Sequence, residues 1–101
     1  MITGRGGCVY IMTNKLHTVL YVGVTSDLTG RVWDHKNETY PKSFTAKYKC
    51  HKLVYYLFYL HIDEAIAVEK VTKGRSRTYK QQLVNSLNPE WRDLYDDLIN
   101  E

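Results

Sequence analysis

Two short segments of β-branched and aromatic residues, Gly7 to Thr13 and Val19 to Val24, are joined by only five turn-type residues, Asn14 to Thr18. A parallel pair needs a crossover of about a dozen residues or more, so a link this short leaves an antiparallel hairpin. Each segment carries a tyrosine. A register pairing residues whose numbers sum to about 31 sets Tyr10 opposite Tyr21 on one face, and a slip of one residue makes them diagonal. Gly23, late in the second segment, either lets the chain turn or lets a substrate backbone approach closely.

Caps and periodicity extend the reading. Thr25, Ser26 and Asp27 offer capping oxygens for a helix to about Lys36. Leu28 and Val32 share its core stripe, while Arg31 and His35, four apart, emerge side by side at the margin. Gly30 costs this helix up to about 1 kcal/mol relative to Ala. After a polar, lysine-bearing stretch (37–51), Leu53 to Leu60 is almost continuously apolar, as suits a central strand covered on both faces. Asp63 is expected to cap a helix through about Lys73, stopped by Gly74, and Ser76 to start another through Leu87. Asn88-Pro89 should restart a third. The order β-β-α-β-α-α plus a short final helix gives an α+β fold with a small antiparallel sheet of three strands, flanked by helices.

The 101 residues suffice for one domain, read as 1–101 with 1–6 as a loose lead-in. A hydrophobic fraction of 44% with nine tyrosines supports a core and argues against disorder. No apolar run approaches the roughly 20 residues of a membrane span, and the first residues lack the apolar stretch of a secretory signal. Cys8 and Cys50 form no metal-like pair and suit a reducing, cytoplasmic setting. The net charge of +3 is uneven: residues 1–89 hold 13 Lys and Arg against 6 Asp and Glu, and the remainder is acidic. Anionic partners are expected for the main body, although most of these lysines could simply solvate the surface.

Several side chains could carry chemistry. Tyr10 and Tyr21 are by default packing residues, but a tyrosine can also position or deprotonate water. Arg31 beside His35 offers a fork for phosphate and a group for proton transfer or, when charged, phosphate contact. Glu69 borders the apolar stripe of its helix, formed by Ile62, Ala65 and Val68. It either pairs with Lys73 at i+4 or ligates a divalent cation that keeps most of its waters. Lys73, Arg75, Arg77 and Lys80, with Tyr79 among them, form the densest basic run. Lys42, Lys47, Lys49 and Lys52, with Phe44 and Tyr48, form a weaker one. Asn88 reads as a cap whose amide could also order a nearby loop.

Taken together, Cys8-Val9-Tyr10, Tyr21-Val22-Gly23, Asp27-Leu28-x-x-Arg31 and His35 resemble the motifs of the GIY-YIG nuclease superfamily. Phe44-Thr45-x-Lys47-Tyr48, His51-Lys52-Leu53-Val54-Tyr55-Tyr56, Glu64-Ala65-Ile66, Glu69-Lys70 and Asn88-Pro89-x-Trp91-Arg92-Asp93-Leu94 extend the resemblance, over roughly residues 7–98, to its small standalone members. The likeness implies a three-stranded antiparallel sheet flanked by helices and one-metal hydrolysis of DNA phosphodiesters, with Mg²⁺ or Mn²⁺ and no small-molecule cofactor. By motif position Tyr10 would be the general base or water-positioning group, helped by Tyr21. Arg31 would stabilise the transition state, His35 would assist, and Glu69 would hold the metal. Gly23, Lys73, Arg75, Arg77, Lys80 and Asn88 would contact or order the substrate, in structured or damaged DNA of the kind met in repair. Cys8 in place of the first motif glycine, Gly30, and Arg75 where tryptophan is common are departures. The alternatives are a non-catalytic nucleic-acid-binding module on the same fold and a protein-interaction domain. No membrane partner is expected.

Overall fold

In the computed structural model, which describes residues 6–100, β1 (Gly7–Thr13) is the middle strand of three. β2 (Leu20–Thr25) pairs antiparallel along one side and β3 (Lys52–Tyr59) along the other. The expected α+β class with a three-stranded antiparallel sheet is the one observed. Every residue of β1 is buried, which is why its sequence is apolar without alternation. The expectation that Leu53–Leu60 is the central strand is overturned. β3 is an edge strand, and its distal Leu57 and Phe58 are exposed.

The register leaves the two tyrosines diagonal and does not pair them directly. Tyr10 lies opposite Gly23, and Tyr21 opposite Met12. The cause is the turn. Asn14 Oδ1 accepts from the amides of Thr18 and Val19, at 2.8 and 3.0 Å, so Val19 belongs to the turn and the ladder begins at Leu20. His17 supplies the left-handed backbone the turn needs, with φ of 59°. Arg77 clamps the turn from a distance, its guanidinium donating to the carbonyls of His17 and Thr18. Tyr10 and Tyr21 thus share a face but stand diagonally, ring centroids 6.3 Å apart.

α1 (Leu28–Lys36) starts on Asp27, whose carboxylate accepts from the Gly30 amide at 3.1 Å. A Cβ at Gly30 would strike that carboxylate, so the residue that weakens the helix interior admits its cap. Leu28 and Val32 are buried as expected, on the Tyr10 side of the sheet. A single turn, α2 (Phe44–Lys47), stands in the stretch read as polar and irregular, capped by Ser43. α3 (Ile62–Lys73) covers the opposite face of the sheet through Ile62, Ala65 and Val68. His61 stands at its N-cap without a side-chain bond, and Asp63, expected there, lies in the first turn.

α4 (Arg77–Leu87) starts on Ser76 as expected. Asn88 does not begin a helix. It closes α4, is buried, and turns its amide inward, donating to the carbonyls of Val54 and Arg92 and accepting from the Arg92 amide. The chain next becomes helical only at α5 (Tyr95–Ile99), after Asp93 and Leu94 have bonded the backbone of Leu53 on β3.

Gly23 is where the hairpin is tightest. A Cβ there would penetrate the Tyr10 ring, with Cε1 at 2.8 Å and other ring atoms closer. The glycine therefore makes room for a neighbour in its own sheet. Gly23→Ala is expected to lower stability by about 1–3 kcal/mol, the usual range for overpacking. In a Tyr10→Ala background the same change should cost under about 0.5 kcal/mol, because the obstacle is gone. Urea denaturation of the four proteins measures this, and equal costs in both backgrounds would show that the phenol is not the obstacle.

Candidate active site

β1 delivers Tyr10, β2 Tyr21, and α1 both Arg31 and His35, all on one face of the sheet. His35 stands between the two phenols, its ring centroid 5.7 Å from Tyr10 and 5.5 Å from Tyr21. The Tyr10 hydroxyl meets His35 Nε2 at 2.8 Å, and His35 Nδ1 meets Thr45 Oγ1 at 2.8 Å. Ser43 Oγ lies 3.2 Å beyond, ending a chain of four polar groups at the start of α2. A cavity of about 190 Å³ opens here, lined by Tyr21, Arg31, Asp34, His35, Tyr40, Ser43, Phe44 and Thr45.

Tyr10 is absent from that lining. It is 0% exposed, so its hydroxyl faces His35 and not solvent. Burial raises its pKa far above the usual phenol range, Tyr21 adds to the rise, and the Arg31 guanidinium offsets part of it. His35 is pushed down to about 4, first by burial and then by Arg31, with Asp34 opposing. Near neutral pH it is therefore an uncharged imidazole, able to accept a proton but not to offer positive charge to phosphate. Arg31 is exposed at the cavity wall and supplies that charge.

Glu69 approaches from the other layer. α3 lies behind the sheet, and Glu69 is 8% exposed while Lys73, one turn on, is open. Their ion pair is 2.8 Å long, and Lys73 Nζ stands 6.0 Å from the Tyr21 ring centroid, at the edge of β2. This donor fits a hard divalent cation: an almost buried carboxylate whose counter-charge is the movable end of an exposed lysine. Among the described residues no three His, Cys, Asp or Glu converge, so a multi-ligand cage is not built.

Of the other expected residues, Lys73 alone adjoins this cluster. Arg75 stacks on Tyr79 at 4.6 Å, Arg77 is committed to the hairpin turn, and Lys80 donates to the Lys73 carbonyl. Gly23 seats Tyr10, and Asn88 bonds within the interior. Four residues at the cavity, Tyr40, Ser43, Phe44 and Thr45, were not read as site residues. Phe44 belongs to the weaker basic and aromatic run and, with Thr45, to a motif of the resemblance, while nothing singles out Tyr40 or Ser43, and a single helical turn is too short to show periodicity.

The sequence matches the family model described as GIY-YIG catalytic domain over residues 6–83, most of its length, and the chain belongs to that family. No curated protein and no solved structure matches it. The fold is thus nuclease-like, and nucleic acid is the substrate class. None of the described helices is long and apolar enough to cross a membrane.

The neutral His35 carries a pH signature. Between its ordinary value of 6.5 and its folded value of about 4, the unfolded chain binds the proton more readily than the folded one. Stability is therefore lost as pH falls through that window. The unfolding temperature of the native sequence should drop more steeply from pH 6.5 to 4 than that of His35→Gln. Other groups titrate in both proteins and cancel in the difference. Parallel curves would show that His35 is not held neutral.

Proposed function

We propose that this GIY-YIG domain is an endonuclease that hydrolyses DNA phosphodiesters with a divalent cation, in the cavity between Tyr21, Arg31 and His35. The observation that carries the reading is this convergence of a phenol, a guanidinium and a neutral imidazole at one opening, with Glu69 linked toward Tyr21 through Lys73, 2.8 Å from the carboxylate and 6.0 Å from the ring centroid.

The roles follow from exposure. Arg31 binds the phosphate and offsets charge accumulating on its oxygens; the corresponding loss on removing such a group is roughly 10²–10³-fold in rate. Tyr21, and not the buried Tyr10, orients the attacking water and acts as its base. Tyr21 acts as phenolate, having given its hydroxyl proton to solvent, and takes a proton from the attacking water. The water oxygen bonds to phosphorus, one ester bond breaks, and the departing oxygen takes a proton from solvent. Tyr10 is a positioning residue that acts through His35. Thr45 serves likewise, because its hydroxyl on Nδ1 leaves Nε2 for the phenol. Glu69 would hold Mg²⁺ or Mn²⁺, which supplies charge neutralisation and an activated water when bound. Lys73 releases the carboxylate by swinging into solvent.

One observation favours a second reading, a non-catalytic nucleic-acid-binding module. Lys73 already satisfies Glu69 without any metal. Assays on branched, nicked and single-stranded DNA separate the two. With Mg²⁺ or Mn²⁺ the native protein should produce strand scission, and Glu69→Ala should abolish it while the circular dichroism spectrum stays native. Tyr21→Phe should reduce the rate by about 10²-fold or more, and Tyr10→Phe by less. Cleavage that survives in Glu69→Ala or in chelator would overturn the metal assignment. A larger loss in Tyr10→Phe than in Tyr21→Phe would reverse the order of the phenols.

A further inference from the structure

The cavity does not end in a polar wall. Tyr21 stacks against Phe44, centroids 5.9 Å apart and planes 28° from parallel, and Phe44 meets Tyr48 at 4.7 Å. This row of rings runs outward from the reacting end of the site, and its outer members are open: Phe44 is 47% and Tyr48 40% exposed. Tyr40, also at the cavity, is 63% exposed. Large aromatics are normally drawn into a core, so two exposed rings at the opening, Tyr40 and Phe44, with Tyr48 packed against Phe44, mark a contact surface.

The row is rigidly mounted. Ser43 caps α2 by accepting from the Ala46 amide, and Thr45 and Ala46 are buried beneath it. Phe44 and Tyr48, four apart, project from the outer side while Thr45 reaches inward to His35. One turn of helix thus supports both the imidazole and the ring platform. Lys47 lies 5.2 Å from the Tyr48 ring centroid, and neither it nor Lys42 enters an ion pair among the described residues. The cavity lining itself is balanced, Arg31 against Asp34, so the rings rather than net charge dominate the surface an incoming group would meet.

Resting on the nuclease reading, we infer that Phe44 and Tyr48, continued inward by Tyr21, form a stacking platform for unpaired nucleobases, and that the substrate is DNA single-stranded next to the cleaved phosphate. Bases in a duplex stack on one another and show no free face, whereas those of an unpaired strand can continue the protein's row of rings. The opening, about 190 Å³, is smaller than the ~300–1,000 Å³ of ordinary ligand pockets, of a size for a single ring system. Lys42 and Lys47 would follow the backbone of the same strand.

The test uses the full chain, a single-stranded oligonucleotide containing 2-aminopurine, and the same oligonucleotide in a fully paired duplex, all in chelator so that no cleavage intervenes. The native protein should quench and bind the single strand and bind the duplex at least roughly ten-fold more weakly. Phe44→Leu, which keeps apolar volume but loses the ring, should weaken single-strand binding by roughly ten-fold, in the range for loss of one stacked base. Phe44→Trp should restore it. Equal affinity for both DNAs, or native binding by Phe44→Leu with unchanged fold, would overturn the platform. Because binding is read without metal, failure of the nuclease reading would appear separately, as absent scission beside intact, ring-dependent single-strand binding.

Discussion

The Tyr10 hydroxyl, buried in the centre of the sheet, can be satisfied only by a partner brought to it, and that partner is His35. This hydrogen bond ties α1 to the hairpin, beside the burial of Leu28 and Val32 on the same side of the sheet. With His35 held inward, Arg31, one turn earlier, reaches the cavity rim. The second nitrogen of the same imidazole then needs a partner in turn, and Thr45 supplies it from α2. Hairpin, helix and single turn are thereby arranged around one chain of polar contacts. Gly23 is the steric condition for that chain, since any larger residue would displace the phenol.

The remaining component arrives by a different route. α3 packs on the far face of the sheet, so Glu69 and the Tyr10–His35 pair belong to separate layers. The link between them is Lys73, which pairs with Glu69 and reaches around the edge strand β2 to 6.0 Å from the Tyr21 ring centroid. Building the site at a sheet edge gives it access to solvent from both layers. It also explains why the two phenols differ so much in environment: β1 is covered everywhere, while β2 is open on its outer side.

Much of the frame was legible. The hairpin, the core stripe of α1, the Ser76 cap and the inward face of α3 all rest on local patterns that tertiary contacts reinforced. The register was not, because it depends on Asn14 drawing Val19 into the turn, a side-chain choice invisible to strand propensity. β3 looked central because its residues are apolar, yet its Leu57 and Phe58 are left exposed. Asn88 carried a strong capping signal that was overridden by three side-chain bonds to the backbone of Val54 and Arg92. At the site, spacing placed Arg31 and His35 together but could not distinguish a solvent-facing tyrosine from a sealed one. That distinction is a property of sheet position, which only the assembled fold possesses.

The Asp93–Leu94 segment, bonded to Leu53 along the outer side of β3, lies beyond residue 83, where the family match stops. Excising the domain at that homology boundary would strip a protective selvage from the sheet and bare backbone ready to recruit another molecule's strand. For anyone transplanting this fold into a chimaera, the smallest well-behaved cassette is thus longer than the stretch the family model spans.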